Sequence, residues 1–283
     1  MSLKLQNVTF SYAKGTPHET KAIDDISLEI DDGDFIGIMG RTGCGKSTLI
    51  QLIDGLLKPD EGFVYLNGED INNPDYDRNI LRKSIGMVFQ FPEYQLFETT
   101  VRKDVAFGLK HHGLPPEQVE LQVREALETM GFDYERVKDI SPLTFSGGEK
   151  RRIAIAGILA VRPDVLILDE PIAGLDPSGR EAFLNLLDEI NSRGTTIIMI
   201  SHNADAISEH AKKILILKDG KLAAEGAAAD ILSDTELLKK NNIGLCQVRQ
   251  LALLLQEKGL NIPGKLIHYD DLTEYLVSYL KGV

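Results

Sequence analysis

Apolar residues fall at alternate positions at Leu3 and Leu5, then at Val8 and Phe10, and again at Ile26, Leu28 and Ile30. That is the period-two pattern of half-buried strands. Asp31-Asp32-Gly33 reads as a turn, and Phe35–Met39 is an unbroken apolar run opening into Gly40, as a buried strand feeding a loop does. The period then changes: Leu49, Leu52, Ile53 and Leu56 predict a helix over Thr48–Leu57. Phe63–Leu66 and Ile85–Phe89 predict further strands. From about Glu98 to Arg162 strand signals lapse. Pro115-Pro116 starts a helix, Val119, Val123, Ala126, Leu127 and Met130 continue it, and Gly131 caps its end. Ile153–Ala160 reads as another helix. Strands return at Val165–Leu168, Thr196–Ile200 and Ile214–Leu217, the last followed by an Asp219-Gly220 hairpin turn.

Strands alternating with helices predict an α/β fold with a largely parallel sheet, and the antiparallel N-terminal strands predict a separate small β layer. The expected organisation is one domain over residues 1–234, with a helical insert at about 98–162, and a helical extension over 235–283. In that extension Val248, Leu251, Leu255 and Lys258 share one helical face, with Gly259 as the stop. Leu272, Tyr275, Leu276, Tyr279 and Leu280 form a second stripe. Such stripes fit packing on the same domain or a partner surface equally.

Composition narrows the class. A net charge of -12 argues against a general nucleic-acid binder. Cys44 and Cys246 form no metal or redox spacing, which fits a reducing compartment. The first five residues lack the apolar run of a secretory signal, and no apolar stretch approaches the roughly 18 residues that span a bilayer. The chain is expected to be soluble alone and to reach a membrane only through a partner.

The segment Gly40-Arg41-Thr42-Gly43-Cys44-Gly45-Lys46-Ser47, with Thr48 beside it, fits G-x-x-x-x-G-K-[ST] between a strand and a helix. Glycines let the backbone wrap phosphate, main-chain N–H groups and the helix N-terminus face the anion, Lys46 reaches the β- and γ-phosphates, and Ser47 can ligate Mg²⁺. The chain therefore reads as a P-loop ATPase. Helix N–H groups and Lys46 would favour a Cys44 thiolate, and an inert residue that fits the space is the open alternative. Val165–Leu168 ends in Asp169-Glu170. Neighbours on a strand point to opposite faces, so the two acids are expected to divide their roles: Asp169 in the Mg²⁺ shell, Glu170 polarising the attacking water.

A GTPase would want an N-K-x-D motif, and the sequence has none. Phe145-Ser146-Gly147-Gly148-Glu149 lies instead between the phosphate loop and the acidic strand. Here the chain resembles the ABC ATPases, whose signature usually reads Leu-Ser-Gly-Gly-Gln. The order of motifs agrees over about Leu3 to Gly226. The resemblance implies that Tyr12 stacks on adenine, Gln90 meets Mg²⁺ and relays nucleotide state, and His202 holds the γ-phosphate. It also implies that Ser146, Gly147 and Gly148 contact the ATP of a second subunit, and that Asp176 reaches across the same dimer. The other histidines, including His111 and His112, carry no role and read as solvated. Three departures stand out: Phe145 and Glu149 in the signature, and Ile172 where threonine commonly follows the Glu-Pro pair. Glu149 adds negative charge near the signature helix, which would weaken the second half-site where its partner is not matched.

Repair-type ABC proteins carry a long coiled coil and translation factors two such domains, so a transporter subunit is the leading expectation. Phe89–Phe97, Lys150–Ala160 and the helical extension resemble the energy-coupling factor transporter ATPases. That resemblance implies a second ATPase subunit (a heterodimer favoured, a homodimer possible), a transmembrane coupling subunit and a substrate-binding membrane subunit. It implies uptake of a vitamin or of cobalt or nickel ions at the cytoplasmic face of the cell membrane, with coupling helices received near Gln90–Phe97. The alternatives are another ABC transporter's ATPase and a low-turnover ATP-dependent regulatory module. The intact Glu170 and His202 speak against the latter.

Overall fold

The computed structural model describes residues 2–281. Met1, Gly282, Val283 and the side chain of His111 lie outside the described residues, so the outer ends of the two expected segments and the reading of His111 fall there.

The strands are β1 (Leu3–Tyr12), β2 (Thr20–Ile30), β3 (Phe35–Met39), β4 (Glu61–Leu66), β5 (Glu69–Asp70), β6 (Ile85–Val88), β7 (Val165–Asp169), β8 (Thr196–Ile200), β9 (Lys213–Lys218) and β10 (Lys221–Ala227). They form the two sheets that the pattern predicts. One is antiparallel in the order β2-β1-β4-β5. The other runs β10-β9-β3-β8-β7-β6, parallel except for the β9–β10 hairpin. That hairpin turns through Asp219 and Gly220 at φ 50 and 78, the left-handed pair a tight two-residue turn requires. The slip from Leu5 to Val8 is a bulge: the β1–β2 register shifts there and Asn7 takes φ 47.

The continuous apolar runs follow from burial on both faces of the parallel sheet. Ile36, Ile38, Val165, Ile167, Ile198, Ile200, Leu215 and Leu217 face one core, shared with the antiparallel sheet and with α1 (Lys46–Ile53). Phe35, Met39, Leu166, Leu168, Ile197, Met199, Ile214 and Ile216 face a second core, filled by helices. The helix expected over Thr48–Leu57 starts earlier, at Lys46, because the phosphate loop leads straight into it. It ends at Ile53 because Gly55 turns the chain at φ 70, leaving Leu56 exposed.

After α2 (Arg78–Ser84) and β6 the chain is helical until β7. α3 (Val101–Val105), α4 (Pro116–Thr129), α5 (Tyr134–Val137) and α6 (Gly147–Leu159) lie in this stretch. α6 begins six residues before the expected Ile153, because Ser146 supplies its cap. α7 (Pro177–Ser192) and α8 (Ala204–His210) flank β8.

The C-terminal helices are α9 (Ala228–Ser233), α10 (Thr235–Lys240), α11 (Gln247–Glu257) and α12 (Tyr269–Lys281). Leu238, Cys246, Val248, Ala252, Ile262, Ile267 and Leu272 join the same core as Phe35 and Met39. The buried face of α11 is Val248, Arg249 and Ala252, so Leu251 lies off it and is exposed, contrary to the expected stripe. The α12 stripe splits: Leu272 is buried and Leu280 is 82% exposed. Among the described residues no helix is long and apolar enough to cross a membrane.

Candidate active site

The loop from β3 to α1 holds its shape through backbone that side chains would block. A Cβ at Gly40 would stand 2.3 Å from the Leu217 carbonyl oxygen, and one at Gly45 2.4 Å from that of Ala22. Lys46 is buried, and its Nζ donates to the carbonyls of Gly40 at 2.7 Å and Arg41 at 3.2 Å. Ser47 Oγ donates to Asp169 Oδ2 at 2.9 Å, joining the start of α1 to the end of β7. The Tyr12 hydroxyl lies 3.2 Å from Thr48 Oγ1, and Tyr12 is 43% exposed, so it is not a core tyrosine.

A cavity of about 590 Å³ gathers most of the residues singled out from sequence. Tyr12, Thr42, Gly43, Gly45, Lys46, Ser47, Thr48, Gln90, Asp169, Glu170 and His202 line it. Gly40, Arg41 and Cys44 do not. Gly40 and Cys44 are buried behind the loop, where Gly220 N–H donates to the Cys44 carbonyl at 3.0 Å. Of the two open readings of Cys44, the inert one fits its setting: burial pushes the thiol up, outweighing the pull of Lys46. Cys44 fills space in the core between the sheets.

The two acids also differ from expectation. β7 ends at Asp169, and Glu170 takes a left-handed φ of 50, so strand alternation stops before it and both carboxylates open on the same cavity. Glu170 N–H donates to the Ile200 carbonyl at 3.0 Å, pinning it beside the strand that leads to His202. His202 Nε2 stands 3.4 Å from Glu170 Oε1. That oxygen is buried and has no hydrogen-bond partner among the described residues. Burial raises the Glu170 carboxyl above its ordinary range, and His202 pulls it partly back.

Ser146, Gly148 and Asp176 are not brought to this cavity. They line a second one of about 780 Å³, together with Glu149, Arg151 and Arg152, and Gly147 opens α6 beside it. Asp176 Oδ1 accepts from Gly179 N–H at 2.7 Å and caps α7. Glu149 completes a capping box: its Oε2 accepts from Ser146 N–H at 2.9 Å and from Ser146 Oγ at 2.7 Å. These bonds hold the Glu149 carboxyl below the usual range, so the charge foreseen in the signature sits on Glu149, hydrogen-bonded to Ser146.

Sequence reasoning gave no role to Glu93 or Arg151. Arg151 is buried and bonds Glu93 together with the carbonyls of Pro171 and Ala173. The signal was a charge in each of two segments lying far apart in the chain, and nothing local pairs them.

The family model described as ABC transporter matches residues 23–173. The energy-coupling factor transporter ATP-binding protein EcfA2 of Caldanaerobacter subterraneus is 46% identical over 283 residues, covering 100% of this chain and 99% of that one. Its counterpart in Clostridioides difficile is 42% identical over 284 residues, with 100% and 99% covered. Among solved structures, cbiO1 of Clostridium perfringens, described as part of the ABC transporter complex cbiONQ, superposes with a TM-score of 0.75 at 35% identity, covering 90% of this chain and 98% of that one. The ATP-binding cassette MJ0796, solved as a dimer in a post-hydrolysis state with ADP and phosphate, gives 0.69 at 32% identity, with 80% and 98% covered. With the phosphate loop, the acid pair and the signature in place on this fold, the chain belongs to the ABC transporter family of ATP-hydrolysing subunits, among the energy-coupling factor transporter ATP-binding proteins.

Proposed function

We propose that this chain powers an energy-coupling-factor-type importer from the cytoplasmic face of the cell membrane. It works with a second ATPase subunit, a heterodimer partner favoured, and with a transmembrane coupling subunit and a substrate-binding membrane subunit. The cargo is a vitamin or a transition-metal ion such as cobalt or nickel. Residues 1–234 form the ATPase domain, with the helical insert at about 98–162. The extension over 235–283 supplies dimer contacts through its exposed apolar positions, Leu280 foremost.

The observation that carries the reading is the Ser47–Asp169 pair beside the unpartnered Glu170 oxygen. Hydroxyl, carboxylate and the Gln90 side chain offer hard oxygen donors on one cavity, which fits Mg²⁺ held jointly with substrate phosphates. When bound there, the ion neutralises charge on the β- and γ-phosphates. Main-chain N–H groups at the start of α1 have no acceptor within the helix and are left for phosphate oxygens. Lys46 exchanges its carbonyl acceptors for the β- and γ-phosphate oxygens. Tyr12 offers its exposed ring to adenine. Glu170 takes a proton from water as the water oxygen attacks phosphorus and the bond to ADP breaks. A carboxyl raised by burial is the stronger base for that transfer. His202 steadies Glu170 and meets the γ-phosphate.

Ser146, Gly147, Gly148 and Asp176 close on the ATP of the second subunit, a role that fits the place of Ser146, Gly148 and Asp176 on a separate cavity with Gly147 beside it. The tagged chain, purified from membranes of its own source, is expected to bring a second ATPase and membrane proteins and to hydrolyse ATP only with Mg²⁺. Recovery as a soluble assembly with no membrane protein would refute the importer reading.

A further inference from the structure

Three segments of the site meet at one guanidinium. Arg151, 6% exposed, lies on α6 just past the signature. Its Nε donates to Glu93 Oε2 at 3.2 Å and its Nη2 to Glu93 Oε1 at 3.4 Å. Its Nη1 donates to the carbonyls of Pro171 at 3.2 Å and Ala173 at 2.7 Å. Glu93 belongs to the short 3-10 turn Pro92–Gln95, which follows Gln90 and Phe91. Pro171 and Ala173 belong to the loop that starts at Glu170 and runs to Asp176. Ala173 lines the phosphate-loop cavity and Arg151 the signature-side cavity. The planar fork of arginine fixes several acceptors at set angles, which a lysine ammonium cannot do.

The far end of this contact is exposed. Tyr94 is 84% exposed and Phe97 is exposed beside it. Phe91 is held at φ 59 and ψ 58, a left-handed backbone that an aromatic residue keeps only where its surroundings over-determine it. The contact two residues later between half-buried Glu93 and buried Arg151 is such a restraint.

We propose that Glu93 and Arg151 are positioning residues, a clasp that ties the exposed aromatic segment 91–97 to the loop carrying Glu170 and Asp176. Docking of a partner on Tyr94 and the nucleotide state at Glu170 then bias each other through this pair, in addition to any route through Gln90. The proposal deepens the ATPase reading above and rests on it.

The chain contains no tryptophan, so Tyr94→Trp places a single indole on the exposed segment. In the full-length chain, Mg²⁺ with AMP-PNP is expected to change its emission. Adding Glu93→Gln or Arg151→Lys should cut that change at least about fivefold, the low end of ordinary coupling between sites, while TNP-ATP affinity stays within about twofold. Glu93→Gln keeps the side-chain shape and decides the matter where Arg151→Lys does not fold. An undiminished change in Glu93→Gln would overturn the clasp, because Gln90 would then carry the signal alone. So would a Tyr94→Trp chain that binds TNP-ATP yet whose emission ignores AMP-PNP. Failure of that chain to bind TNP-ATP at all would strike the ATPase reading beneath, and the clasp with it.

Discussion

Glu170→Gln keeps the side-chain shape and removes the carboxylate whose Oε1 has no hydrogen bond among the described residues and which opens on the phosphate-loop cavity beside His202. A positioned general base contributes about 10²–10⁴-fold to rate. At about 1.4 kcal/mol per decade that is roughly 3–5 kcal/mol of barrier. Lys46, Ser47 and Asp169 are untouched, so ATP binding should survive while turnover falls by that factor. Stability gives a second, independent readout. Burial raises the Glu170 carboxyl from its ordinary value of 4.5. From that value upward, until the folded-state pKa is passed, the native chain holds a proton that the unfolded chain has lost. Wild-type stability therefore falls as pH rises through this window, and the amide, which has no proton to lose, escapes the fall. The two proteins should be of similar stability below the window, and the variant more stable above it. Phosphate release at saturating Mg²⁺-ATP, with urea melts at about pH 4 and about pH 8, checks both halves. Equal turnover would remove Glu170 from the chemistry. A stability difference independent of pH would show that its burial carries no charge cost.

Asp54, at the C-terminal end of α1, is pushed up from 3.8 to about 7 by burial. Asp54→Asn should therefore match wild type near pH 4 and gain stability up to about pH 7, by at most about 4 kcal/mol at 1.4 kcal/mol per unit, and urea melts that stay parallel across that range would contradict it. Gly45→Ala drives a Cβ to 2.4 Å from the Ala22 carbonyl oxygen at φ 107. It should cost at least about 1–3 kcal/mol of stability together with TNP-ATP binding, and a variant that melts and binds like wild type would refute the cradle geometry. Glu149→Gln keeps the acceptor for Ser146 and removes the charge, so the melt should move by under about 0.5 kcal/mol. ATP-driven association of the ATPase pair, read by light scattering, should tighten, and weaker association would show that the charge serves the interface.

Short-range chemistry was readable in the chain itself. The phosphate loop, the acid pair and the signature each announce themselves within eight residues, because the backbone geometry they need is local. The strands of the parallel sheet were readable for a different reason: burial on both faces leaves no polar position to confuse the run, as at Val165–Leu168. Prediction failed where a single backbone torsion overrode periodicity. Gly55 ended α1 before Leu56, and the left-handed Glu170 turned a residue expected on the opposite face into the same cavity as Asp169. Local sequence left Cys44 open for a different reason: its lysine neighbour would lower the thiol, while its place between the sheets, visible only in the fold, raises it.

The pair Glu93 and Arg151 marks the limit of such reading, because 58 positions separate them and no local rule joins their charges. Their position in space nonetheless follows from the topology. β6 and β7 are neighbours in the sheet, so the segment after Gln90 and the loop after Asp169 leave the same edge side by side. The whole helical insert is looped out between those two strands, and it must return to β7 through α6. Arg151, buried on the first turns of α6, meets both exits at once. A buried arginine there needs a carboxylate and several carbonyl oxygens to offset its desolvation, and the two exits supply them. Ser146 and Lys46 line separate cavities of one chain, which fits the proposal that a second chain brings its signature to the ATP bound here. Arg151 lines the signature-side cavity and bonds the Ala173 carbonyl, whose residue lines the other, so the proposed clasp touches both.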